Sequence, residues 1–159
     1  MFTVNLRYES RTIMIAAATC LALALYHESR GEPALGQLMV AKVILNRVAS
    51  DRFPDTVCDV IMQHRQFSFV QNGKFPKLKD QKAWKSSQDL ANQILEDKRI
   101  LPQSVADHYH TESVRPVWRK DLHRVSKIGK HIFLSYDQPT SIKVSMRPKK
   151  RPKYFLDDR

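Results

Sequence analysis

At 159 residues, with 42% hydrophobic side chains and only four glycines, the chain is long enough to bury one core and carries no low-complexity tract, which excludes a disordered protein and favours a single domain. Its 27 Lys and Arg against 16 Asp and Glu leave a formal charge of +11, which points to polyanionic partners: nucleic acid, acidic lipid surfaces or anionic wall polymers.

The first element is announced by IMIAAATCLALAL, residues 13–25, behind Arg7 and Arg11. The run has the length of a signal peptide's apolar region, but Glu9 interrupts the basic flank, no clean A-x-A cleavage site follows, and a membrane span needs roughly 20 residues. It predicts a buried helix over residues 12–26 that stops near Gly31, and no clear signal peptide. Cys20 and Cys58 stand in apolar settings with no C-x-x-C or metal-ligand spacing; they read as two buried free thiols, with a disulfide as the alternative.

Pro33 suits the first turn of a second helix, in which Leu35, Leu38, Ala41, Ile44, Leu45 and Val48 keep a helical stripe. FPDTVCDVIMQ gives a brief third helix through Val57, Val60 and Ile61. QFSFVQNGKFPKLKD, with Asn-Gly, Pro and aromatics but no period, predicts a surface loop. Trp84, Ala91, Ile94 and Leu95 mark a fourth, amphipathic helix over residues 81–98. SVADHYHTESV and KIGKHIFLSY alternate as short strands, and VRPVW between them reads as extended. The sum is an α+β, mainly α-helical domain over residues 1–142. A basic tail, residues 143–159, follows, with Lys143, Arg147, Lys149, Lys150, Arg151 and Lys153 among two prolines.

The chemistry concentrates in LALALYHESRGEP. Glu28 ends an apolar helix, where desolvation and the negative end of the helix dipole both disfavour its ionised form. Glu32 precedes Pro33 at the start of the next helix, where the dipole favours a carboxylate. Two carboxylates in opposed surroundings suit a general acid beside a charged helper, although charged helix ends also serve solubility and capping. The zinc-protease pattern fails, because the position three after Glu28 is Gly31 rather than a histidine. His108 and His110 would share one strand face, with Asp107 or His131 as further ligands, but ordinary hydrogen-bonding histidines account for the pattern and no metal is assigned. A basic nucleic-acid-binding module would explain the charge; no recognition motif accompanies it, so no nucleic-acid partner is expected.

The run from Leu21 to Phe69, continued by ADHYH, VRPVW and IGKHIF in the same order, resembles the SleB-type cell-wall hydrolases, the spore-cortex-lytic and bacteriophage enzymes that cleave peptidoglycan glycan strands. The resemblance spans roughly residues 18–136. It implies a lysozyme- or lytic-transglycosylase-like domain with a small β element, cleaving between N-acetylmuramic acid and N-acetylglucosamine without a cofactor. Glu28 matches the family's catalytic acid and Glu32 its second glutamate, in a supporting role. Gln66, Phe67, Ser68, Tyr109, Trp118 and His131 fall in the blocks placed around the substrate groove. Phe67 and Trp118 could equally be core, and His131 could hold a strand. With one usable acid, the expected product carries a 1,6-anhydromuramic end, and hydrolysis is the alternative. Lacking separate peptidoglycan-binding repeats, the chain resembles the compact phage lysins, which implies a monomer made in the host cytoplasm that acts on the wall and is drawn to the anionic envelope by its basic tail.

Overall fold

Leu21, Leu25, Val40, Ile44, Val57, Ile61 and Ile94 are all fully buried, and they come from four helices that converge on one core. The computed structural model describes residues 6–63, 66–71 and 74–138, with side chains from Thr12 onward. Helix α1 spans Leu6–Ala24 and runs without interruption into a π-helical turn, Leu25–Ser29. It therefore starts before the expected residue 12. The stretch Thr12–Ser29 is long and apolar enough to cross a membrane by length and composition, and 44% of it is buried inside the domain. Its first turns leave Ile13, Met14 and Ile15 exposed, while the half beyond Cys20 supplies the core.

The chain leaves the π turn through Gly31, whose φ of 85° is open to a residue without Cβ. Pro33 then occupies the cap position of α2, Ala34–Val48, and supplies the fixed φ that suits a helix start. Helix α3, Val57–Met62, is capped by Thr56, whose hydroxyl accepts from the Asp59 N–H at 3.1 Å. Helix α4, Gln81–Glu96, is capped by Asp80, which accepts from the Ala83 N–H at 2.9 Å. Helix α1 packs against both α3 and α4.

Cys20 of α1 and Cys58 of α3 form a disulfide with a Cα–Cα distance of 5.3 Å. This corrects the free-thiol reading: 38 residues separate the two in sequence, so no local spacing reports a partnership that only the packing of α1 on α3 creates.

The sheet has three antiparallel strands in the order β1-β3-β2: β1 His108–Thr111, β2 His123–Ile128 and β3 His131–Ser135. KIGKHIFLSY is thus not one strand. It is the end of β2, a turn at Gly129 with φ 56°, and β3. The second half of VRPVW is likewise not extended, since Val117–Asp121 forms a 3-10 turn after Pro116. Register decides the two faces of the sheet. Tyr109 pairs with Phe133 and Thr111 with His131, whereas His110 pairs with Ile132 and His108 with Leu134. Tyr109, His131 and Phe133 therefore share the face toward the helices, and His108, His110, Ile132 and Leu134 the other. The domain is α+β and mainly helical, as the residue pattern implies. The tail assigned to residues 143–159 lies outside the described residues.

Candidate active site

Glu28 sits on the π turn, a helical irregularity that turns side chains out of the α-helical register and recurs at functional sites. The turn is held by the Ser29 hydroxyl, which donates to the Leu25 carbonyl at 3.0 Å, and by fully buried neighbours on both sides. One of these, Tyr26, accepts from the N–H groups of Lys79 and Asp80 at 3.1 and 3.0 Å, fixing the start of α4 against the turn. Glu28 is half-buried. Its Oε2 accepts a hydrogen bond from the Tyr109 hydroxyl at 3.1 Å. Burial raises the Glu28 pKa above the ordinary glutamate value, and the Tyr109 hydrogen bond offsets part of the rise. Burial and the neighbouring carboxylate push the Tyr109 phenol well above its own ordinary value, so it remains a donor.

Glu32 is occupied elsewhere. Its Oε2 accepts from the Lys130 backbone N–H at 3.0 Å, across the β2–β3 turn. A Cβ built on Gly129 would stand 1.9 Å from that same oxygen, so the turn can close on the carboxylate only because position 129 is glycine. His131 Nδ1 lies 3.9 Å from Glu32, too far for a hydrogen bond, and has no hydrogen-bond partner among the described residues. Burial lowers the His131 pKa despite the nearby carboxylate, and the ring stands edge-on to Tyr109 at 5.1 Å. Glu28, Tyr109, His131 and Glu32 thus form one linked series of contacts between the π turn and the inner face of the sheet.

The other residues singled out in the sequence divide. Phe67 is buried and belongs to the core, beside Phe69 at 5.8 Å. The loop that carries both is only partly a surface loop, because these two rings turn inward. Gln66 is exposed but anchored, its side-chain oxygen accepting from Arg47 at 3.2 Å; Ser68 is exposed. Trp118 packs on His108 and His110, at 5.3 and 5.9 Å, and those histidines occupy the sheet face opposite Tyr109. His108 Nδ1 lies 2.8 Å from the Asp107 carboxylate and His110 Nδ1 2.8 Å from the Thr111 carbonyl, and no group of three or more potential metal ligands gathers among the described residues.

Three residues near the site, Arg47, Asn46 and His27, are given no role by the sequence reading. Arg47 of α2, only 5% exposed, donates from Nε to the Asp107 carbonyl at 2.6 Å and lies over the Phe53 ring, tying α2 to the start of β1. Asn46 adds bonds to the Ser104 and Ala106 carbonyls at 2.9 and 2.7 Å. The available signal was a cation between Ile44 and Val48 within an apolar stripe. His27 stacks on Phe69 at 4.7 Å beside Glu28, its Nε2 buried without a hydrogen-bond partner among the described residues and its pKa lowered by burial.

Comparison with known proteins places this arrangement in context. The family model described as Cell Wall Hydrolase matches residues 31–134, a span that includes Glu32, Tyr109 and His131 and begins three residues after Glu28. Spore cortex-lytic enzymes from Bacillus cereus and Bacillus subtilis are 39% and 33% identical over 113 residues, which is 71% of this chain. This chain spans only 42% and 35% of the length of those two relatives. The catalytic domain of the germination-specific lytic transglycosylase SleB from Bacillus anthracis superposes with a TM-score of 0.59 at 38% identity, covering 75% of this chain and 93% of that one. The catalytic domain of Bacillus cereus SleB gives 0.58 at 38% identity.

Proposed function

The chain belongs to the cell wall hydrolase family, and on that premise we propose that it cleaves peptidoglycan glycan strands between N-acetylmuramic acid and N-acetylglucosamine as a lytic transglycosylase. The observation that carries this reading is the single half-buried carboxylate on the π turn, with raised proton affinity and a phenol donor beside it. Protonated Glu28 gives its proton to the glycosidic oxygen as the C1–O bond breaks and positive charge develops at the muramic C1. The Glu28 carboxylate, steadied by Tyr109, then takes the proton of the muramic C6 hydroxyl, whose oxygen bonds to C1 and closes the 1,6-anhydro ring. Atoms balance without water or a protein nucleophile. Hydrolysis by inversion or retention calls for a second carboxylate, and the nearest in sequence, Glu32, accepts the Lys130 N–H through one oxygen, which suits a strut for the hairpin. The lytic transglycosylase activity named for the Bacillus anthracis structure agrees with this.

Glu32 acts as a positioning residue for the hairpin, and His131 packs Tyr109 into place. Gln66 and Ser68 contact sugars further along the strand, while Phe67 shapes the groove from beneath and Trp118 stands apart from the bond that breaks. The Cys20–Cys58 disulfide suits an oxidising site of action at the envelope. A lysin attracted to the anionic wall by its basic tail, acting as a monomer, completes the reading. Mass spectrometry of muropeptides released from purified walls tests it: anhydromuramic ends are expected, and reducing ends or cut peptides alone would replace it.

A further inference from the structure

The outer face of the sheet carries a cavity of about 350 Å³ that the proposed reaction does not use. His110, Ile132 and Leu134 come to it from the strands, and Arg115, Arg119 and Arg124 from the 3-10 connection and β2. Among the described residues none of these three arginines makes an ion pair or a side-chain hydrogen bond. The one carboxylate in the wall, Glu112, is engaged by Lys127 at 2.5 Å. Three unpartnered guanidinium groups over an aliphatic floor form a site for an anion with apolar substituents. Guanidinium groups match carboxylates in planar, paired geometry.

We propose that this cavity binds the carboxylate-bearing peptide stem of the wall glycan whose sugars are cleaved at Glu28, an inference that rests on the function proposed above. Two features favour a peptide stem over a phosphodiester polymer. Ile132 and Leu134 offer contact to alanine methyl groups, for which a polyol phosphate has no counterpart. Reach also fits. Tyr109, which bonds Glu28, and His110, which lines the cavity, are adjacent on β1, and β1 is an edge strand. A layer of sheet with its side chains is about 10 Å thick, the same order as the length of about 14 Å that four extended residues span at most.

The test uses the full chain and two direct probes, the tetrapeptide L-Ala-γ-D-Glu-meso-diaminopimelyl-D-Ala and a glycerol phosphate oligomer, by titration calorimetry. The tetrapeptide is expected to bind, and the double variant Arg115→Gln/Arg124→Gln, at two exposed positions, should weaken it about tenfold, or 1.4 kcal/mol, without moving the melting temperature. On intact walls the same variant should raise KM with kcat unchanged, and glycan strands stripped of stems should be cut by both proteins alike. Tetrapeptide binding that survives the substitutions, or tighter binding of the glycerol phosphate oligomer, overturns the proposal. If the wild-type protein cuts neither substrate, the proposed function fails, while the tetrapeptide titration still decides this site.

Discussion

Replacing Glu28 separates chemistry from stability. An amide keeps the size and can still accept from Tyr109, but it cannot give a proton, so Glu28→Gln should lose about 10²–10⁴-fold in lytic rate, the usual worth of a general acid. Because folding raises the Glu28 pKa, the native state binds this proton more tightly than the unfolded chain. That stabilisation is complete below the ordinary value near 4.5 and disappears as pH rises through the folded value. Above the folded value the wild type carries a desolvated carboxylate that the amide does not. The variant should therefore melt higher than wild type on the alkaline side of that value, with the advantage closing as pH falls through it; thermal melts across pH check it. Equal melting temperatures at every pH would mean that Glu28 is not desolvated. Tyr109→Phe removes the hydrogen bond that favours the carboxylate, so the Glu28 pKa should rise further and the alkaline limb of kcat/KM should move up. A downward movement would show that the phenol does not serve Glu28.

The elements meet at the site through the β2–β3 hairpin, and this is where Glu32 has its effect. Glu32→Gln retains an acceptor for the Lys130 N–H and should keep most of the activity. Gly129→Ala places a methyl group against the Glu32 carboxylate and Pro33 at a backbone conformation that L side chains rarely adopt. It should cost about 1–3 kcal/mol in denaturant unfolding. If Glu32→Gln abolishes turnover while Gly129→Ala is neutral, the glutamate is a reacting group rather than a strut. The π turn belongs to the same scale. It converts the end of a core helix into a platform for a partly buried acid, and the Ser29 hydroxyl and the Tyr26 phenol hold it there through the Leu25 carbonyl and the Lys79 and Asp80 N–H groups.

For the molecule as a whole, the disulfide fastens the amino-terminal helix to α3 across a 38-residue separation. Closing a loop of that length removes unfolded-chain entropy worth roughly 4 kcal/mol, so Cys20→Ser/Cys58→Ser, or reduction, should lower the melting temperature by roughly 10 °C. An unchanged melt, or two titratable thiols in the unreduced denatured protein, would contradict the bridge. The basic tail gives the other whole-molecule prediction. Ending the chain near Thr140 should weaken wall binding mainly at low salt, since exposed charges are screened beyond about 8 Å at physiological ionic strength. Cleavage of small glycans should persist. A large loss of thermal stability would show that Tyr154, Phe155 and Leu156 cover apolar surface.

Periodicity and punctuation carried much of this in the sequence. The helical stripes, Pro33 before α2, Gly31 after the π turn and the placing of Glu28 at the end of an apolar run follow from local physics that acts within a turn or two. The order of the later blocks pointed to Tyr109 and His131 as well. What neighbours in sequence cannot report is which distant groups meet. The pairing of Cys20 with Cys58, the engagement of Glu32 by the Lys130 N–H, the burial of Arg47 beneath β1 and the division of Tyr109 and His110 between opposite faces of one sheet all depend on packing and register. Register is the sharpest case, because side chains alternate every residue in a strand. It places Tyr109 against the acid on the π turn and its neighbour His110 in the arginine-lined cavity behind it.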